Sequence, residues 1–151
     1  MQIENQFSLK AEYRARLIDI ETEKIEREEI THNLVTDVGL THILNRWTNA
    51  SAVSALGYVA VGTGSGTPAA SDTALVTELT RKALTWSVAG AVATGSVLFG
   101  TGEANGTLTE VGLVDASSGS TIKTHANFTT AIVKNSTKLL QLDITITVAR
   151  A

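Results

Sequence analysis

From Leu140 to Val148 the chain alternates strictly, with Leu140, Leu142, Ile144, Ile146 and Val148 apolar and Gln141, Asp143, Thr145 and Thr147 polar. A period of two is the mark of a strand with one face in a core and one in water. Leu142, Ile144 and Ile146 are its expected inward set. A similar pattern occupies residues 7–35. There Phe7, Leu9, Tyr13, Ala15, Leu17 and Ile20 precede the polar run Glu21-Thr22-Glu23-Lys24, and Ile25, Ile30, Leu34 and Val35 follow it. Two antiparallel strands joined by a polar turn fit this arrangement. The adjacent pair Leu17-Ile18 breaks the alternation, so a bulge is expected there. A helix over residues 21–29 is the rival reading, since Glu and Lys favour helix; the short length and flanking β-branched residues argue against it.

The period changes once. Thr36 and Asp37 are N-cap types, and Leu40, Ile43, Leu44 and Trp47 then fall at i, i+3, i+4 and i+7, which predicts an amphipathic helix near residues 37–48. Its apolar stripe is expected to face the core, and His42, lying off that stripe, to face solvent. From Gly57 onward short apolar runs return between Gly, Asn and Ser. They comprise Tyr58 to Val61, Ala83 to Ala89 and Val92 to Phe99 on either side of Gly90, Thr107 to Asp115, and Thr121 to Val133 with Ile122, Thr124, Ala126 and Phe128 alternating. Frequent turns with no helical pattern between them argue for antiparallel sheets packed face to face. The expected architecture is therefore an all-β, mainly antiparallel β-sandwich in a single domain spanning 1–151. Residues 1–35 form an N-terminal β-ribbon or arm, 36–50 the helix and 57–151 the sandwich.

The stretch GYVAVGTGSGTPAASDTALVTEL, residues 57–79, resembles a nucleotide-binding loop at first sight. A P-loop requires a lysine after its second glycine to reach the phosphates, and none occurs between Gly62 and Lys82. A dinucleotide fingerprint starting at Gly62-x-Gly64 requires glycine at position 67, which is Thr67, followed by Pro68. The expected reading is a loop in which Gly62, Gly64 and Gly66 permit positive φ and Ser71-Asp72 caps a short helical turn through Leu79.

Composition narrows the chemistry. The 151 residues include no cysteine and carry a net charge of −3, which removes thiolate chemistry and offers no basic field for nucleic acid or an anionic membrane. No basic region followed by an apolar run opens the chain, so it is expected to fold in the cytoplasm, with its Asn-x-Ser/Thr triplets serving as turn and strand residues. His32, His42 and His125 lie far apart in sequence, and a metal site would require the fold to gather them. Glu103 and Glu110 are the one carboxylate pair worth considering for glycoside hydrolysis, but Glu103 sits in a turn and Glu110 in a strand where it can pair with lysine or cap backbone groups. No cofactor is implied. Trp47 and Trp86 fall on apolar stripes that point to the core, whereas a carbohydrate-binding module would present them as exposed platforms.

The segments HNLVTDVGLTHILNRW, YVAVGTGSGTPAASDTALVTEL and FGTGEANGTLTEVGLVDASSG, followed by the alternating last strand, together resemble the small β-rich domains of tailed-bacteriophage virion proteins, most often tail-fibre or tail-associated ones. The resemblance spans roughly Asn33 to Val148 and rests on the order of the segments. It implies a non-enzymatic structural protein, assembled in the bacterial host cytoplasm and located in the virion, that associates with itself as a trimer or higher and with other virion proteins. A long fibrous extension, a receptor-tip domain and a His-x-His pair do not occur in the sequence, which favours an adaptor, collar or fibre-base piece, or alternatively a capsid decoration protein. A host surface glycan has no support in the residues. The candidate docking residues are acidic. Asp19, Glu21, Glu23, Glu26, Glu28 and Glu29, against Lys24 and Arg27, give that stretch a charge of −4, so it is either a protected sheet edge or a docking element for a basic partner.

Overall fold

The computed structural model describes residues 6–150; residues 1–5 of the expected ribbon, and Ala151, lie outside them. The elements in chain order are β1 (Phe7–Asp19), β2 (Ile25–His32), β3 (Leu34–Val35), α1 (Asp37–Thr48), β4 (Tyr58–Gly62), β5 (Glu78–Ala83), β6 (Thr85–Ala89), β7 (Val92–Phe99), β8 (Gly106–Val114), β9 (Thr124–Lys134) and β10 (Lys138–Arg150). They form two five-stranded sheets, ordered β2-β1-β10-β7-β6 and β3-β9-β8-β4-β5. Every pairing is antiparallel. The fold is the all-β sandwich with one helix that the alternation predicts.

The first strand pair is no arm. β1 runs against β10 over its whole length, from Phe7↔Arg150 to Asp19↔Lys138, so the ribbon is part of the first sheet. The bulge falls at Leu17/Ile18, where the β1–β2 register shifts. Between the sheets, Ala11, Tyr13 and Ala15 of β1, Leu140, Leu142 and Ile144 of β10, and Phe99 of β7 meet Val59, Val61, Leu108, Val111, Leu113 and Ile132. Of the expected inward set on β10, Leu142 and Ile144 are fully buried, while Ile146 is only partly buried against this core. The Tyr13 hydroxyl reaches across to Thr124 Oγ1 on β9 at 2.5 Å, and burial raises its pKa well above the usual phenol range.

The second sheet is covered on its outer face as well. Ala60, Val114 and Ile122 form a smaller apolar cluster with Leu75, which lies in the segment joining β4 to β5. That segment is the glycine stretch. It contains no helical turn after Asp72, and the last two residues of the expected turn, Glu78 and Leu79, open β5 instead. An edge β-strand satisfies its backbone by pairing with β4, from Tyr58↔Ala83 onward, and tertiary pairing outweighs the weak local helical preference.

α1 has the expected bounds but the opposite face inward. Gly39 and His42 are buried, whereas Leu40, Leu44 and Trp47 are exposed, Trp47 at 76%. The cause is close backbone approach. A Cβ on Gly39 would collide with the Lys123 carbonyl oxygen, so the helix lies against the second sheet on its glycine side. Its start is tied there by Thr36, whose Oγ1 accepts from the Gly39 N–H at 3.0 Å and donates to the Ile122 carbonyl at 2.9 Å. Trp86 is half-buried, its indole N–H donating to the Leu56 carbonyl at 2.6 Å.

Ile144 is fully buried at the centre of β10. Replacing it with alanine is expected to cost about 2–5 kcal/mol, measured by urea unfolding. A loss under about 0.5 kcal/mol is the value of a surface substitution and would contradict the packing described.

Candidate functional site

The glycine stretch encloses an anion supplied by the protein itself. Glu110 lies on β8 two residues after Leu108, so unbroken alternation would put both on the core face. A register shift between Leu108 and Glu110 changes the parity, as bulges do, and turns the carboxylate outward beneath the loop. There it is fully buried. Its Oε1 accepts from the Gly64 N–H at 3.0 Å and the Thr77 N–H at 2.8 Å, and its Oε2 accepts from the Val76 N–H at 2.9 Å. The glycines are required by proximity. A Cβ on Gly62 or Gly64 would lie 2.6 or 2.5 Å from Glu110 Oε1. Neither these residues nor Gly66 adopts positive φ, so close approach, not the expected left-handed conformation, explains them.

The neighbouring strand completes the clamp. His125 on β9 places Nε2 3.1 Å from Glu110 Oε2 and Nδ1 2.7 Å from Asp72 Oδ2. Both imidazole nitrogens thus lie within hydrogen-bonding distance of a carboxylate oxygen, and the ring is held between Glu110 and Asp72. Asp72, expected as a helix cap, instead accepts from the Ala69 N–H at 2.8 Å. That bond, followed by the one from His125, holds its carboxyl below the usual range. Thr109 Oγ1 donates to the Gly64 carbonyl and Asn127 Nδ2 to the Gly66 carbonyl, each at 2.5 Å. Both oxygens of Glu110 and both ring nitrogens of His125 are engaged within this arrangement.

The remaining chemical candidates separate. His32 stands 3.4 Å from Glu12, and His42 stands 3.6 Å from Asp115. Burial lowers the His42 pKa against the opposing pull of Asp115. Among the described residues no group of His, Asp and Glu is arranged to hold a metal ion, and no helix is long and apolar enough to cross a membrane. Glu103 accepts from Lys82 Nζ at 2.5 Å and from the Gly100 N–H at 2.7 Å, partners unconnected with those of Glu110.

Of the six candidate docking acids, four are paired within the chain. Glu28 bonds Arg14 at 3.2 Å and Arg16 at 2.9 Å, Glu29 bonds Arg27 at 2.8 Å, and Lys138 holds Asp19 at 2.5 Å and Glu26 at 2.6 Å. The Lys138 contact, then the Thr22 N–H, keeps the Asp19 carboxyl far below the usual range. Glu21 and Glu23 are exposed on the β1–β2 turn. The arrangement matches a charged edge strand, β2, balanced by cations from its neighbours.

An apolar surface that sequence reasoning assigned to the core lies open. Beside Trp47, a groove of about 510 Å³ is lined by Ile43, Leu56, Trp86, Val88 and Ile146 with only His42 and Arg46 as polar neighbours. The inner face of the first sheet, buried elsewhere, is uncovered at this end of the sandwich. Compared with protein-family models, curated protein sequences and solved structures, the chain matches none.

Two outcomes follow from the clamp. Removing the carboxylate by Glu110→Ala leaves three backbone N–H groups and the Nε2 of His125 without their partner in a buried site, and is expected to cost about 3–5 kcal/mol in urea unfolding. A carboxyl held low in the folded state contributes stability that is complete above its unfolded pKa, about 4, and lost as pH falls through the folded value. For Asp72 the midpoint of unfolding is therefore expected to decline as the pH drops below about 4, and the decline to be smaller in Asp72→Asn; equal declines would remove Asp72 from the clamp.

Proposed function

We propose that the protein is a non-enzymatic structural component of a tailed-phage virion, a tail-associated adaptor, collar or fibre-base piece that works by assembling on itself and on neighbouring virion proteins. The observation that carries the assembly role is the exposed apolar face of α1, Leu40, Leu44 and Trp47, continuous with the groove at the open end of the sandwich. A soluble chain that acts alone gains nothing by exposing such a surface, and contiguous apolar patches mark sites of association. The virion setting rests on the resemblance of the ordered segments between Asn33 and Val148. The spent clamp around Glu110 is in keeping with a non-enzymatic role, because both imidazole nitrogens and both carboxylate oxygens are engaged internally.

One observation bears on a second reading. An exposed tryptophan beside a groove is what a carbohydrate-binding module offers, and Trp47 provides it. A sugar ring also needs polar groups to fix its hydroxyls. This groove supplies His42 and Arg46 among aliphatic and aromatic neighbours, and His42 is itself buried. The lining fits an apolar protein surface better than a glycan.

The purified protein is expected to show an oligomeric mass by light scattering at micromolar concentration, and Leu44→Asp combined with Trp47→Asp to lower it without changing the far-ultraviolet spectrum. Mass spectrometry of purified particles is expected to find the chain. A monomeric mass at high concentration together with absence from particles would overturn the proposal; retention on a glycan array, lost in Trp47→Ala, would favour the carbohydrate reading instead.

A further inference from the structure

The two sheets have four edge strands, and three of them are charged or very short. β2 carries Glu26, Arg27, Glu28 and Glu29, β5 carries Glu78, Arg81 and Lys82, and β3 is two residues long. Charges and short length are the usual means by which an edge strand avoids another chain. β6 has neither. Its sequence, Thr85-Trp86-Ser87-Val88-Ala89, is uncharged and rich in residues that favour strands, it lies at the end of the first sheet, and Val88 is 71% exposed. We propose that β6 is a strand-pairing site whose occupant is β6 of a second copy, joined antiparallel about a two-fold axis at Ser87. The proposal deepens the self-association reading above and rests on it.

The register follows from the hairpin. β6 and β7 are joined by Gly90-Ala91, with Ala89 opposite Val92 and φ of +60° at Gly90. A two-residue turn makes the flanking pair exchange both of its hydrogen bonds, and the direction alternates along the strand. Thr85, Ser87 and Ala89 therefore bond toward β7, and Trp86 and Val88 direct N–H and C=O outward. Two such edges match when Trp86 of one copy faces Val88 of the other. Each of these two pairs exchanges two bonds, and Ser87 meets Ser87 between them at a non-hydrogen-bonded position.

The side chains agree with that register. Trp86 and Val88 share the face that lines the open groove, so pairing sets the indole of one copy across from the exposed valine of the other, an aromatic and β-branched cross-strand pair. No like charges meet, since β6 has none. Two-fold pairing uses one edge per copy and closes at two, so a larger assembly requires the face of α1 as a second contact.

The chain has no cysteine, which permits a direct test. At a non-hydrogen-bonded antiparallel pair the Cα atoms stand about 4.5 Å apart, within disulfide range. Ser87→Cys is expected to form a disulfide-linked dimer under mild oxidation at micromolar concentration, and Ser118→Cys, on an exposed loop, to remain largely uncrosslinked. Val88→Pro removes an outward N–H that β7 does not use, and is expected to halve the mass seen by light scattering while keeping the thermal transition. If the wild type is oligomeric but Ser87→Cys crosslinks no better than Ser118→Cys and Val88→Pro leaves the mass unchanged, β6 pairing is wrong and self-association stands. A wild type monomeric at every concentration would sink both.

Discussion

The second sheet depends on a single buried carboxylate. An ionised group removed from water is costly unless charge and hydrogen bonds surround it, and Glu110 has three backbone N–H donors and His125 within bonding distance. The relation is reciprocal. Without the carboxylate, the N–H groups of Gly64, Val76 and Thr77 would be directed into a buried space with no acceptor; without those donors, the charge could not remain beneath the loop. What the exchange secures is cover for Ala60, Val114 and Ile122, which Leu75 of the same segment buries on the outer face of β4, β8 and the start of β9. Both faces of β4 are thereby covered, the inner by the core between the sheets and the outer by this segment. The β4 sequence Tyr58-Val59-Ala60-Val61 is continuously apolar for that reason.

The first sheet is finished in a different way. Among the described residues no segment covers its outer face, which carries a lattice of ion pairs, with Arg16 bridging Glu28 on β2 and Asp143 on β10 and Lys138 joining Asp19 to Glu26. Exposed pairs of this kind contribute little to stability individually. Their effect is to keep a broad, hydrated face that other chains have no reason to cover. The negative charge that sets residues 19–29 apart in the sequence is mostly a local imbalance, met in space by cations that lie elsewhere in the chain.

What could be read from the sequence was what periodicity determines. The alternation in β10, the strand pair at the N-terminus, the break at Leu17-Ile18 and the bounds of α1 all have local causes, and each is present. Orientation was less legible. A helical stripe says which residues share a face, but the partner of that face is set by distant packing, here by Gly39 against Lys123. Hydrophobicity alone predicts the stripe of α1 inward, and Leu40, Leu44 and Trp47 lie outward. Glu110 could be read as a capping residue but not as the centre of the loop, because its direction depends on a bulge that leaves no local signature. The glycine cluster predicts freedom of φ, whereas Gly62 and Gly64 are spaces left for a carboxylate that lies 46 residues from Gly64 in sequence. A cluster of glycines that fails the phosphate motifs can be tested against buried acids elsewhere in the chain before it is assigned to flexibility.

These features leave the apolar surface distributed unevenly. The outer face of one sheet is covered by the loop at β4 and the end of β8, that of the other is ion-paired, and three of four edge strands are charged or short. The exposed Leu40, Leu44, Trp47 and Val88 lie where the helix turns its stripe outward, where the core face of the first sheet emerges between Trp86 and Ile146, and where β6 ends the sheet. The inversion of α1 and the openness of that end are two sides of one constraint. A helix held to the second sheet by its glycine side cannot also use Leu40, Leu44 and Trp47 to close the sandwich, so the surface that its own helix leaves uncovered must be met by water or by another protein. Burying apolar area is favourable by roughly 25 cal/mol per Å², and the balance therefore favours a partner wherever the concentration of one is high, as it is in a repeating assembly.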